Sequence, residues 1–431
     1  MDTQPDIAHP AFADDTPRLW AKATAWRGAF NRALRRLERA QSLLEESLPR
    51  LERLSSVSQQ VWQESAFALW QLGCTLYDLG NYEKARRRYE DSLATYRALG
   101  DRWGMASVSH HLGDLICMSG APHEAEPLVR EGLAIQRALG DHRGMAGSLR
   151  VLGVIAVSTG RLEESVRLAR ESVDLFREMG DRGHAAEALL NLGYNLGFLG
   201  RLEEAHRRLS QSVAIYRDLG FGGSWSSLSL SFLARIDMLL GQYEEADALA
   251  QEALVLAQEE GHLTGIGAAL WVLSRLAIPA GEYAEALQII QPFLPETGWT
   301  PGVGDFAIIS SLTYAAHGLD RPDRVRRPLC EGLRLWHRNG DLAIILLLLP
   351  AIALLLADEG QVERAVELYA LASRYPYVAN ARWFEDAAGK HISAAAAKAL
   401  PPDVVAAAQE RGRARDLQTT IEDLLAELEN G

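Results

Sequence analysis

A helix-ending Leu-Gly or Met-Gly pair recurs at Gly100, Gly140, Gly180 and Gly220, a spacing of 40 residues without drift. A second series, Gly80, Gly120, Gly160 and Gly200, falls midway between. Each unit therefore holds two helix-length stretches separated by chain-reversing glycines, which predicts a stacked array of helical hairpins rather than a closed globule. In ATYRALGDRWGMA, IQRALGDHRGMA and LFREMGDRGHAA the glycine can take the left-handed conformation that closes a helix. Asp101, Asp141 and Asp181 follow it directly and can accept the free N–H groups that open the next helix, a structural role.

Composition fits such an array. A chain of 431 residues would ordinarily divide into two or three globular domains, yet no shift of composition marks a boundary across the first 290. The formal charge of −13 argues against a nucleic-acid backbone as the main partner. Cys74, Cys117 and Cys330 show neither CxxC spacing nor a disulfide framework, so a reducing, cytoplasmic location is expected. The opening MDTQPDIAHPAFADD is acidic and polar where a secretory leader would be basic and then apolar. The apolar run Leu342 to Ala357 is interrupted by Pro350 and shorter than the roughly 20 residues a membrane span needs. It reads as a buried helix, and no membrane partner is expected.

Aligned on the mid-repeat glycine, the units read LWQLGCTLYDLGNYEKA, HHLGDLICMSGAPHEA, RVLGVIAVSTGRLEES and LNLGYNLGFLGRLEEA. Leu-Gly at 72–73, 112–113, 152–153 and 192–193, with Ala85, Ala125, Ser165 and Ala205 after the turn, resembles the tetratricopeptide repeat. The small residues are needed where the two helices of a hairpin cross. Gly241 with Ala246 and Gly281 with Ala286 continue the pattern after a one-residue slip that Gly222-Gly223-Ser224 can absorb, and Gly360 with Ala365 closes it. Tyr82, Tyr243 and Tyr283, each two residues past the turn glycine, are expected in the repeat core. The expected fold is all-α, a right-handed α-solenoid of about eight such hairpins. Residues 1–16 are expected to be disordered and 17–64 to form a helical cap. Repeats one to six span 65–294, a Pro/Gly-rich loop bearing Trp299 spans 295–304, degenerate repeats seven and eight span 305–375, and a helical tail spans 376–431. That tail also resembles the segment following such arrays in the sensor regions of bacterial STAND-class ATPases and transcriptional regulators. The resemblance implies a sensor or regulatory scaffold, or else a regulatory subunit or sensor fragment of an ATP-driven switch. The chain's Gly389-Lys390 lacks the upstream glycine of a phosphate-binding loop, so no nucleotide or other cofactor is expected.

Catalysis is the weakest reading. His110, Asp114 and Cys117 fall on one helix face, where a metal or thiolate–imidazole pair is conceivable, but no fourth ligand comes from a recognisable motif. The sign-alternating stretches 35–47 and 83–91 read as solvated outer faces. Recurring residues build the stack, so residues that vary on the inward side of the first helix are free to specify a ligand. In tetratricopeptide proteins the fifth and ninth positions line the concave groove. That resemblance selects Trp70, His110, Arg150 and Trp271 at the fifth, Asp114, Tyr194, Arg235 and Arg275 at the ninth, with Tyr77 and Asn191 beside them. Arg150, Asn191 and Arg235 resemble part of a carboxylate clamp, because Arg forks and an Asn amide suit a carboxylate. The competing reading is that they pair with neighbouring acids such as Asp114, Glu187 or Asp237. The function expected is non-catalytic recognition of a protein or peptide, one with an acidic group if the clamp operates.

Overall fold

The computed structural model describes residues 16–34, 36–54, 59–220, 224–259, 261–291, 305–319 and 325–430. The expected disordered start before Thr16, the 295–304 loop with Trp299, and Gly222 and Gly223 at the register slip lie outside these residues. Every regular element among them is helical. The order is α1 (Thr16–Ala33), α2 (Leu37–Leu54), α3 (Gln59–Asp78), α4 (Tyr82–Leu99), α5 (Arg102–Met118), α6 (Pro122–Leu139), α7 (His142–Ser158) and α8 (Leu162–Glu178). There follow α9 (Arg182–Phe198), α10 (Leu202–Asp218), α11 (Ser224–Leu240), α12 (Tyr243–Glu259), α13 (Leu263–Ala277) and α14 (Tyr283–Ile290). The later elements are α15 (Asp305–Gly318), α16 (Arg326–Asn339), α17 (Leu342–Asp358) and α18 (Val362–Ala372). Two short turns, α19 (Pro376–Ala379) and α20 (Arg382–Phe384), lead through a π-helical turn (Glu385–Gly389) into α21 (Lys390–Ala399), α22 (Pro402–Ala414) and α23 (Leu417–Asn430). This is an all-α solenoid of paired helices with a period of about 40 residues.

Local chemistry sets the pairing. Gly80 through Gly220 of both series, and Gly241, Gly261, Gly281, Gly340 and Gly360 after them, all have φ between +63° and +83°. At Gly100 the left-handed residue returns its N–H to the Arg97 carbonyl and turns the chain into α5. The three aspartates then cap as expected: Asp101 Oδ1 accepts from Gly104 N at 2.9 Å, Asp141 Oδ1 from Gly144 N at 2.9 Å, and Asp181 Oδ1 from His184 N at 3.2 Å. Ala85, Ala125, Ser165, Ala205, Ala246, Ala286 and Ala365 are all fully buried at the hairpin crossings.

The chain forms two compact units, Met1–Ile116 with Glu124–Ser148, and Cys117–His123 with Leu149–Gly431. In the first, α1 and α2 pair and continue into the α3/α4 hairpin. In the second, α9 to α14 stack in sequence and α17 pairs with α18. The apolar run is α17, buried along nearly its whole length with Pro350 accommodated inside and Asp341 capping its start. Among the described residues no helix is long and apolar enough to cross a membrane.

Candidate functional site

In the first unit, aromatic rings cross three first helices in a row. Trp26 of α1 stacks on Phe67 of α3 at 4.5 Å, and Phe67 stands edge-on to Trp70 at 6.1 Å. Trp70 in turn meets Trp103 of α5 at 6.0 Å and His111 at 5.8 Å. His110 lies against His111 at 4.1 Å, and Asp114 is half-buried one turn further along α5. Trp26 and Trp103 leave 56% and 48% of their surface in solvent. Trp70 is only partly exposed, and its indole N–H is shut off from solvent without a hydrogen-bond partner. Of the residues expected in the groove, Trp70 and His110 thus sit in one aromatic surface. Tyr77 lies two turns away on α3, edge-on to Tyr82 at 5.6 Å. Cys117 is buried. Among the described residues no group of three or more His, Cys, Asp or Glu is placed to hold a metal ion.

The clamp residues of the second unit are not gathered around one point. Arg150 Nε pairs with Glu187 at 3.2 Å. The Asn191 amide donates to the Glu187 backbone carbonyl at 2.9 Å. Arg235 donates through Nη2 to the Tyr377 hydroxyl at 2.7 Å. Glu187 of α9 is one of the neighbouring acids that the competing reading named, and it pairs with Arg150.

Tyr194, Arg235, Trp271 and Arg275 do come together, through a segment whose position the sequence did not suggest. Residues 376–389 of the expected helical tail run across α9, α11 and α13 as short turns. Pro376 interrupts helical spacing there, and four aromatic residues in ten, Tyr375, Tyr377, Trp383 and Phe384, give the segment too much apolar surface to remain peripheral. Tyr377, Trp383 and Phe384 are all fully buried. Tyr377 stacks on Phe198 at 4.6 Å, and the Trp383 indole donates to the Arg275 carbonyl at 2.9 Å. The Asn380 amide donates to Gly200 O at 3.1 Å. Tyr243, expected in the repeat core, is instead half-buried and donates its hydroxyl to Asp386 Oδ2 at 2.6 Å.

The electrostatics of this face are unusual. The Arg235 guanidinium carbon lies 5.1–5.6 Å from the ring centres of Phe198, Trp271, Tyr377 and Tyr194. That of Arg275 lies 4.2 Å from Trp383 and 4.8 Å from Trp271, with Tyr314 and Phe384 beyond. Burial lowers the Arg275 pKa to about 10 against the pull of neighbouring tyrosines, leaving it charged at neutral pH inside an aromatic cage. Burial likewise pushes the Tyr194 phenol up. Burial would raise Asp386 too, but hydrogen bonds from Lys390, Tyr243 and Arg382 outweigh it and hold the carboxyl at about 2.

Paired helices, crossing points of small residues and inward faces that vary from repeat to repeat define a helical-repeat interaction scaffold. Family models described as tetratricopeptide repeat match residues 69–99, 104–178 and 144–218. Residues 69–218 of the chain thus carry tetratricopeptide repeats. No curated protein sequence matches it. Among solved structures, it is similar to aspartyl phosphate phosphatase F from Bacillus subtilis at 12% identity, covering 97% of each chain with a TM-score of 0.45. A Rap protein complexed with competence and sporulation factor matches at 13% identity over 59% of this chain and 78% of that one, TM-score 0.45. A STAND protein with a tetratricopeptide sensor from Pyrococcus horikoshii matches at 15% identity over 65% of this chain and 44% of that one, TM-score 0.43.

Proposed function

We propose that this protein recognises a peptide or protein segment through the aromatic row of its first unit, and that it serves as a sensor or regulatory scaffold. The observation that carries the reading is the continuous run Trp26–Phe67–Trp70–Trp103, whose end members present about half their surface to solvent while the middle is packed between rings. Rigid aromatic side chains offer large contact area at small entropic cost, which is why they dominate binding energy at interfaces. His110 and Asp114 lie beside the row and supply polar groups that can set orientation. Residues 376–389 lie over α9, α11 and α13 of the second unit, whereas Trp26 and Trp103 of the first are about half exposed.

Selection of a displayed peptide library on the full chain, followed by calorimetry on the enriched peptides, tests this. Trp26→Ala and Trp103→Ala are each expected to weaken binding by about 2 kcal/mol, near thirtyfold, the range of an aromatic hot spot. Their melting temperatures should hardly move, since both rings are half exposed. Peptides that bind both variants as tightly as the wild type would remove the row from the binding surface.

A further inference from the structure

We propose that the Arg235–Trp271–Arg275 row of the second unit is a receiving site for an acidic peptide, and that residues 376–389 are a resident occupant which such a peptide displaces. The site belongs to the second unit, and it stands or falls apart from the aromatic row of the first.

Two guanidiniums flank one indole, 5.2 Å and 4.8 Å from the Trp271 ring centre, and neither has a carboxylate partner among the described residues. Arg275 has no exposed surface. Its Nη2 donates to Ser310 Oγ at 2.8 Å, but among the described residues its Nε and Nη1 have no acceptor, and the buried hydroxyls of Ser311 and Tyr314 on the neighbouring α15 have no partner there either. Among the described residues Arg235 has the Tyr377 hydroxyl at its Nη2 and no carboxylate. Cation–π contact offsets part of the desolvation of these cations, but it supplies no acceptor for their N–H groups.

The resident segment could have provided an acid and does not. Asp386 is held by Tyr243, Arg382 and Lys390, and Glu385 by Tyr369. The segment contributes rings to the guanidiniums and places both of its carboxylates elsewhere. A ligand that brings a carboxylate to Arg235 and Arg275 therefore makes the bond the resident lacks, a charge-assisted and potentially two-pronged one. The ligand is a peptide rather than a small anion because Arg275 is sealed. Reaching it uncovers the apolar walls against which Tyr377, Trp383 and Phe384 lie, and only a ligand with apolar side chains of its own re-covers them.

Two measurements on the full-length chain test the proposal. Tyr377→Glu and Tyr377→Gln both lose the ring, and only the first brings a carboxylate to Arg235. The Glu variant is expected to melt higher than the Gln variant, with the difference abolished by adding Arg235→Gln; a Glu variant melting at or below the Gln variant overturns the proposal. In the second, hydrogen exchange of residues 376–389 is followed in the wild-type chain with a free peptide of the 376–389 sequence carrying Tyr377→Glu, the unsubstituted peptide being the control. The peptide is used at millimolar level because a tethered segment competes at about that effective concentration. The Glu peptide should speed exchange saturably, with an apparent affinity about tenfold above the control's, as a gained charge-assisted bond implies. The difference between the two peptides should vanish in Arg235→Gln. Unchanged exchange, or an equal response to both peptides, overturns the proposal, and this titration alone decides if neither Tyr377 variant folds.

Discussion

A single Cβ can help or harm this chain according to what surrounds it. Gly193 and Gly183 both lie in α9. A Cβ on Gly193 would fall 2.5 Å from Leu209 Cγ at the hairpin crossing, whereas one on Gly183 meets nothing within 4 Å. Gly193→Ala should therefore destabilise by about 1–3 kcal/mol through overpacking. Gly183→Ala should stabilise by about 0.4–1 kcal/mol by narrowing the unfolded ensemble and raising helix propensity. Urea denaturation of both variants reads the sign, and two changes of the same sign would count against the crossing as the reason for the Leu-Gly pattern. At the caps the expectation is equally local. Asp141→Ala should cost about 1 kcal/mol by freeing the Gly144 N–H, while Asp141→Asn, an equally good cap, should cost almost nothing. An equal loss in both would mean that the charge and not the hydrogen bond is what matters there.

At the scale of elements, the hairpins were legible in the sequence and the 376–389 segment was not, for a physical reason. Turn glycine, capping aspartate and small crossing residue act within one hairpin, so forty residues of text contain the whole instruction. The position of Tyr377 or Trp383 is decided by surfaces more than a hundred residues away, on α9, α11 and α13. Composition carried a signal all the same, in the aromatic residues clustered where the helical pattern breaks. Trp70 and His110 could be selected from repeat position, but the row that joins them depends on Trp26 of the N-terminal hairpin, which lies outside the repeat pattern. The clasp that fastens 376–389 is testable through Asp386, whose carboxyl is shifted from its ordinary value of 3.8 to about 2. A lowered folded pKa means that its contribution is whole above about pH 4 and lost as the pH falls toward 2. Hydrogen exchange of residues 382–390 should accordingly quicken in that window more than exchange in α9. Asp386→Asn should bring the faster exchange to neutral pH and flatten its acid dependence. A pH profile identical in the variant and the wild type would show that the segment is held by its rings alone.

For the second unit as a whole, these returning contacts change how stability is distributed. A pure repeat array is held by neighbours only, so shortening it should lower the melting point in even steps. Here Asn380 bonds Gly200, Asp386 bonds Tyr243, and Asp341 at the start of α17 accepts a hydrogen bond from Ser158 at the end of α7. Each contact spans more than 140 residues of chain and ties late elements to early ones. Even steps are therefore not expected. Removing 402–431 takes away α22, which rests on α18 through Glu367 and its arginines, and α23, which packs on α16. That should lower the midpoint modestly. Removing 376–431 also strips Tyr377, Trp383 and Phe384 from α9, α11 and α13, each burial worth about 1.5–3 kcal/mol. Hydration of the Arg275 Nε and Nη1 groups would return a part of that. The net loss should still far exceed what the extra 26 residues would contribute to an even array, and it should appear as one cooperative transition of the second unit. Thermal unfolding of the two truncations, followed by circular dichroism and by tryptophan fluorescence, distinguishes the cases. Decrements proportional to the length removed would mean that the segment lies on the array without binding it into one unit.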